Sequence, residues 1–407
     1  MNEITPQSAL QEPGRLALPE PILWLLEEGR HIRDGTAFFS ELCNRLVASG
    51  LPISRANLSV RVLHPQLIAI NLVWKRGGTV ERFDRERGLE QTDSYRLSPF
   101  RIIFEGASGV RRRLDIPDPQ LDFPILEELR AAGATDYVVM ALPALDGRPG
   151  AISWASDRPG GFSVNDLSLL YDMLPVLSLV VENHKLRRLG ETLLGIYLGT
   201  ETGRRVLHGG ILRGQHETIH AVLWYCDLRG FTRLSDTLPH AELVDLLNAY
   251  FEAVAEPVIG RGGEVLKFIG DAMLAIFPLE SEADSARVCT AMDAALEALT
   301  NVQTLNATRE VQARRAIRLG IALHIGDVGY GNIGAPARLD FTVIGSAVNK
   351  VVRIEALSKA LEKPLLVSAD FAGRCTYPLD SLGFHALRGL SEPEEIFAYA
   401  VPPALTS

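Results

Sequence analysis

Residues 264–277, EVLKFIGDAMLAIF, decide how the second half of this 407-residue chain is read. Two apolar-rich runs, EVLKFI and AMLAIF, flank Gly270-Asp271, a pattern that predicts a β-hairpin with that dipeptide at its tip. Working outward, the Gly262-Gly263 pair forms the turn into the first run. Upstream, residues 239–256 place Leu243, Leu246, Leu247, Tyr250, Phe251 and Val254 at helical spacing, an amphipathic helix. Before it, residues 219–226 (IHAVLWYC) form a strand that ends at Asp227 and runs into a turn containing Gly230. Downstream come a helix from about 281 to 302 and a strand from 316 to 324. The resulting order, β-α-β-β-α-β, is the split-βαβ, ferredoxin-like arrangement of an α+β domain. In it the first strand lies beside the hairpin, so Asp227 and Asp271 are expected to meet at one sheet edge.

Two carboxylates brought together repel unless a cation sits between them. A hard divalent ion takes a few carboxylate oxygens and completes its shell with phosphate oxygens and water. The turn after Asp227 supplies backbone N–H groups at a helix start, which favours a polyphosphate. Together these features point to a metal–nucleoside triphosphate site, whereas either aspartate alone reads as an ordinary turn residue. A second constellation lies in residues 340–359, DFTVIGSAVNKVVRIEALSK. Asn349 and Arg353 are four apart and share one helix face. The planar guanidinium suits a transferring phosphoryl group and the amide a ribose oxygen, although such a pair by itself is the ordinary polar side of a helix.

In order and spacing, CDLRGFT (226–232), EVLKFIGDAMLAIF and DFTVIGSAVNKVVRIE resemble the three signature blocks of the class III adenylyl/guanylyl cyclase catalytic domain. The resemblance spans roughly residues 215 to 401 and implies several roles. Asp227 and Asp271 fall on the metal-binding aspartates, with two divalent ions, Mg²⁺ or Mn²⁺, as cofactors. Leu228, Gly230, Phe231 and Thr232 fall where the backbone wraps the phosphates. Asn349 and Arg353 fall on the transition-state pair. Lys267 matches the lysine with which adenylyl cyclases read adenine, and Thr342 stands at the second base-reading position, where many members carry Asp. Arg388 falls where a basic residue meets the terminal phosphates. The implied reaction is conversion of ATP to 3′,5′-cyclic AMP and pyrophosphate. The implied unit is a homodimer in which the aspartates of one chain work with the Lys, Thr, Asn and Arg positions of the other. A guanylyl cyclase, or a silent nucleotide-binding homologue, is the alternative; Lys267 and the complete residue set argue against them. Asp340 is off the register of the base-reading position and is read as structural. Arg318 and Lys350 are read as solvated, His324 as a structural residue at a strand end, and Glu264 as facing away from Lys267.

The first half is less specific. Residues 1–19 read as a loose tail. Helical spacing over 21–50 precedes two alternating strands, at Leu58, Val60 and Val62 and at Ile68, Ile70, Leu72 and Trp74, closed by a Gly77-Gly78 turn. Residues 84–120 are charged and give no assignment beyond a short apolar run at 102–104. A helix at 124–132 then leads into strands at 137–142 and 151–155, joined by an Asp146-Gly147 turn. Ser163 and Asp166 open a long helix as a capping box, and Pro175 is expected to kink or split it. Glycines between 190 and 214 mark a joint. This order resembles a GAF-type sensor domain over residues 20–162, followed by a helical linker over 163–214; its small-molecule or protein input is not readable, and His31, His64 and His184 form no cluster.

Composition sets limits on the whole chain. With 47% hydrophobic and 22% charged residues it can build real cores, which excludes a disordered chain. A net charge of −9 gives no broad footprint for nucleic acid. Neither a run of some 20 consecutive apolar residues nor a signal-peptide pattern is present, so the expectation is a cytoplasmic protein without a membrane span. Cys43, Cys226, Cys289 and Cys375 are scattered and read as reduced thiols.

Overall fold

A computed structural model describes residues 18–400 apart from 146, 211, 215, 282 and 283, so most of the expected N-terminal tail and Asp146 of the expected turn lie outside the described residues. The chain divides into two units between Thr192 and Leu193.

In the first unit, α1 (Glu20–Glu27) and α2 (Gly35–Ala48) precede β1 (Ile53–Arg61), β2 (Leu67–Lys75) and β3 (Glu81–Glu86). Then come α3 (Asp93–Arg96), α4 (Pro99–Phe104), β4 (Gly109–Arg113), α5 (Pro124–Ala131), β5 (Asp136–Leu142) and β6 (Gly150–Ser156). The strands form one antiparallel sheet in the order β3-β2-β1-β6-β5-β4. Alternation puts Ala56 and Leu58 of β1 and Leu72 and Trp74 of β2 on one face, where they join Phe38, Leu42 and Leu46 of α2 in a core. β3 and β4 occupy the two edges and carry the charged sequences ERFDRE and GVRRR. Charged, half-solvated edge strands show no apolar alternation, which is why residues 84–120 resisted assignment.

The long helix α6 (Val164–Leu198) opens with the expected box: Asp166 N–H donates to Ser163 Oγ at 3.1 Å and Ser163 N–H to Asp166 Oδ2 at 2.7 Å. It passes through Pro175 unbroken, contrary to the expected split. Pro175 and Tyr171, the residue whose carbonyl loses its helical partner, are both exposed, so that group is open to solvent. α6 is long and apolar enough to cross a membrane by length and composition. Leu170, Met173, Leu174 and Leu177 are nonetheless buried in the unit's core, as expected of a core helix.

In the second unit, α7 (Thr200–Leu207) leads into β7 (His216–Leu228), α8 (Phe231–Thr237), α9 (His240–Gly260), β8 (Glu264–Ile269), β9 (Ala272–Pro278) and α10 (Ser285–Val311). β10 (Leu319–Ala335), β11 (Arg338–Ile344), α11 (Ser346–Ala360), β12 (Leu365–Ser368), α12 (Ala369–Ala372), β13 (Leu379–His385) and β14 (Glu394–Tyr399) complete it. The sheet order is β13-β14-β12-β10-β7-β9-β8, with β11 paired to β10. Val222, Trp224 and Cys226 of β7 face α9 and α10, while Ala221 and Leu223 face α11, so the central strand is buried on both sides. That double burial accounts for the nearly continuous apolar run IHAVLWYC.

β10 runs eleven residues past the expected end at 324 and folds back as a long arm with β11. Gly326, Gly329, Gly331 and Gly334 make this stretch look like loop, yet they serve the strand. At Gly326 a β-carbon would stand 2.7 Å from that of Ala347, so glycine lets α11 approach.

Candidate active site

The strand pairing sets the site. Cys226 lies opposite Met273, so β7 and the tip of the β8–β9 hairpin end together. Asp227 and Asp271 come into direct side-chain contact there. Gly270 takes φ +64°, which the tight tip requires, and Gly230 takes φ +77° to turn the chain from β7 into α8. The Asp271 carboxyl is pushed up to about 7, first by burial and then by Asp227, against which the Leu228 N–H pulls the other way. This strain is what a divalent cation would relieve, so the residues present fit one. No third His, Cys, Asp or Glu completes a ligand set among the described residues, which leaves remaining positions to a polyphosphate and water.

The turn that follows is fixed from below. Leu228 is buried in the core, so only its backbone faces the carboxylates, and the Arg229 N–H donates to the Arg318 carbonyl at 2.7 Å. Arg229 also reaches the carbonyls of Ser358 (2.8 Å) and Lys363 (2.7 Å), tying the turn to the end of α11. Phe231 packs on the core and Thr232 is exposed at the start of α8. One group escaped the sequence reading. Glu355, 8% exposed on α11, has its carboxyl raised by burial and feels Asp227. It accepts from Ser358 Oγ at 3.0 Å, and a β-carbon on Gly320 would collide with it. The signal was available: a glycine in β10 opposite a helix that carries a lone acid.

A second cluster gathers around β8 and β11. Lys267 forms an ion pair with Asp340 of β11, which gives the residue read as structural a definite partner. Asp340 and Thr342 are two apart and share one strand face, and Thr342 is 7% exposed. A register irregularity between Val265 and Lys267 sets Glu264, opposite Ile276, and Lys267, opposite Leu274, on one face of β8, correcting the expectation that Glu264 faces away from Lys267. Lys267 meets Asp340, while Glu264 accepts from Thr202 Oγ1 at 2.7 Å and from Tyr330 OH at 2.7 Å. On α11, Asn349 is exposed and Arg353 is half-buried. The Arg353 guanidinium lies against Gly389, 3.3 Å from where a β-carbon would stand, which brings it beside the turn that carries the exposed Arg388. Lys350 is not solvated as expected: it pairs with Glu394 at 2.7 Å and Asp370 at 3.5 Å. His324 is not at a strand end but inside β10, 3% exposed, with Nδ1 2.9 Å from Ser368 Oγ.

With this geometry in place, comparison with known proteins gives the class. Residues 215–390 match the family model of the adenylate and guanylate cyclase catalytic domain. The C-terminal unit is a class III nucleotidyl cyclase catalytic domain of α+β fold. The chain is 31% identical over 169 residues to an adenylate cyclase of Anabaena cylindrica, an alignment covering 40% of this chain and 32% of that protein. It is 36% identical over 194 residues to an uncharacterised protein of Mycobacterium tuberculosis, covering 47% and 34%. The chain thus spans about a third of the length of these curated relatives. Among solved structures, the adenylyl cyclase CyaB from P. aeruginosa is 24% identical, covers 47% of this chain and 98% of its own, and superposes with a TM-score of 0.43.

Proposed function

We propose that this protein is an adenylate cyclase that converts ATP to 3′,5′-cyclic AMP and pyrophosphate, acts as a cytoplasmic homodimer, and is regulated through its N-terminal unit. The carrying observation is the contact between Asp227 and Asp271 in a domain that also keeps Lys267, Asn349 and Arg353. When bound, two divalent ions on the aspartates supply charge neutralisation for the polyphosphate and acidify the ribose 3′-hydroxyl. The backbone of Leu228, Gly230, Phe231 and Thr232 holds the phosphates, and Arg388 meets their terminal charge. Lys267 donates to an adenine ring nitrogen and Thr342 Oγ1 accepts from the adenine amino group. Asn349 orients the ribose, and Arg353 takes up charge on the α-phosphate as the 3′-oxygen attacks in line and pyrophosphate departs. The core order β10-β7-β9-β8 supports the ferredoxin-like reading, and the six-stranded antiparallel sheet between helices supports the GAF-like one.

Exposed apolar groups support self-association: Tyr171, Leu179 and Leu186 on α6 and Phe268 and Ile269 at the hairpin tip are all half or more exposed. The test is a mass-spectrometric product assay on the full chain with ATP and GTP, each with Mg²⁺ and Mn²⁺, beside Asp227→Ala, Arg353→Ala and their mixture. Cyclic AMP from the wild type, none from either variant, and partial recovery on mixing is the expected result. Cyclic GMP would install the guanylate reading, and absence of recovery would remove the shared site.

A further inference from the structure

The sheet of the N-terminal unit has two unlike faces. One is apolar and packs under α1, α2 and α6. On the other, alternate residues of β1 are Arg55, Asn57, Ser59 and Arg61, flanked by Asn71 of β2 and Ser153 of β6. This face is covered: α4 and α5 pack over part of it, and a cavity of about 500 Å³ lies between sheet and cover. Sheet faces buried under helices are ordinarily apolar, and a polar group left there without a partner is costly. Ser59, 2% exposed, does find one, donating to Asn71 Oδ1 at 3.0 Å. Two floor atoms do not: Arg55 Nε and Asn57 Oδ1 are shielded from solvent and lack any hydrogen-bond partner among the described residues.

Charge and shape specify what would satisfy them. Arg55, Arg61 and Arg85 line the cavity, are half-buried, and form no ion pair among the described residues. Arg61 stands over the Phe104 ring at 5.5 Å and Arg85 over the Phe83 ring at 5.3 Å, so aromatic faces alternate with guanidinium groups along the wall. The acids that also line the space, Glu90, Asp93 and Glu128, are exposed to water, where their charge is screened. A cationic floor with aromatic walls fits a flat organic anion, its carboxylate, sulfonate or phosphate held by guanidinium groups and its ring system between the aromatics. We propose that this cavity binds a small planar organic anion, with Arg55 and Arg61 holding the charged group and Asn57 Oδ1 accepting from a ligand N–H or O–H. The site stands independently of the cyclase reading, because every residue it uses belongs to the first unit.

The test uses two fluorescent dyes of similar shape on the full chain: the anionic 1-anilinonaphthalene-8-sulfonate and the uncharged N-phenyl-1-naphthylamine. The anionic dye is expected to bind one per chain and at least tenfold more tightly than the uncharged one. Arg55→Gln and Arg61→Gln are each expected to weaken the anionic dye about tenfold, the loss of one charge-assisted hydrogen bond, and to leave the uncharged dye unchanged. Asn57→Asp, which keeps the floor's shape but adds a negative charge between the arginines, is expected to weaken it at least as much. Exposed Arg30→Gln serves as the unaffected control, and thermal unfolding checks each variant's fold. Equal affinity for the two dyes, or an unchanged anionic affinity in Asn57→Asp, overturns the proposal even if an arginine variant fails to fold.

Discussion

Replacing His324 by Asn should remove an acid sensitivity built into the centre of the catalytic unit. Burial, and after it the Lys350 ammonium, holds the imidazole down at about 4 from its ordinary 6.5, with His220 adding to the repulsion and Asp370 opposing it. Asp370 stands 3.8 Å from Nδ1 but is 55% exposed, which weakens its pull. The folded chain therefore keeps His324 neutral while the unfolded chain protonates it near 6.5. Above that pH both states are neutral and nothing is gained or lost; as pH falls from 6.5 toward 4, only the unfolded state takes up the proton and stability drops. The gap between 6.5 and about 4 corresponds to about 3 kcal/mol, complete once both states are protonated. His324→Asn keeps a polar atom near Ser368 Oγ and cannot titrate. The missing ring atoms leave a small void that costs ~1–2 kcal/mol at neutral pH. The variant should start out less stable and become the more stable chain near pH 4. Urea unfolding read by hydrogen exchange in peptides from β7 and β10 assigns the transition to this unit, and the wild-type-minus-variant difference cancels every other titrating group. A difference that stays constant from pH 7.5 to 4 would falsify the account.

Three further outcomes are expected. At pH 8 without metal, Asp271→Asn should be more stable than the wild type, because a carboxyl raised from 3.8 to about 7 in the folded chain loses stability as pH climbs between those two values, and the whole loss is present at pH 8. Solvent screening of this partly exposed group limits the gain to ~1 kcal/mol, and added Mn²⁺ should reverse the order in a thermal melt by stabilising only the wild type. Lys267→Glu places an acceptor where adenine needs a donor and should shift the ATP-to-GTP ratio of kcat/KM toward GTP by at least tenfold, measured by competing the two substrates; an unchanged ratio would remove Lys267 from base reading. Tyr330→Phe deletes the hydroxyl that meets both Thr202 Oγ1 (3.1 Å) and Glu264 (2.7 Å), a loss of ~1–2 kcal/mol, so amides of α7 should exchange about tenfold faster; unaltered exchange would show that the contact does not hold the helix.

What could be read from the residues follows a physical pattern. The carboxylate pair was legible because a hairpin with Gly-Asp at its tip and a strand ending in Asp have few ways to share a sheet. Lys267, Asn349 and Arg353 became legible only through the signature blocks, since spacing alone does not tell a substrate-facing side chain from a solvated one. The contact between Lys267 and Asp340 was missed because it spans two strands whose pairing depends on the β10–β11 arm, and that arm's glycines hide it. Lys350 was misjudged because its partners Glu394 and Asp370 arrive from later in the chain, and His324 was placed at a strand end because the glycines beyond it hide the rest of β10. In the first unit, the polar face of β1 passed for ordinary solvent-facing alternation, because the sequence does not reveal the cover above it.

The irregularity between Val265 and Lys267 has a consequence for how the protein survives at high concentration. β8 ends the sheet order, and such a strand offers free backbone groups to any other extended chain. Its tip adds Phe268 and Ile269, each 50% exposed. By interrupting the ladder in mid-strand, the bulge leaves no long straight row for an intruding strand to copy. Removing Leu266 to regularise the pairing would straighten the edge while leaving Lys267 opposite Leu274. A rise in edge-to-edge aggregation should therefore appear in such a variant, as turbidity on concentration.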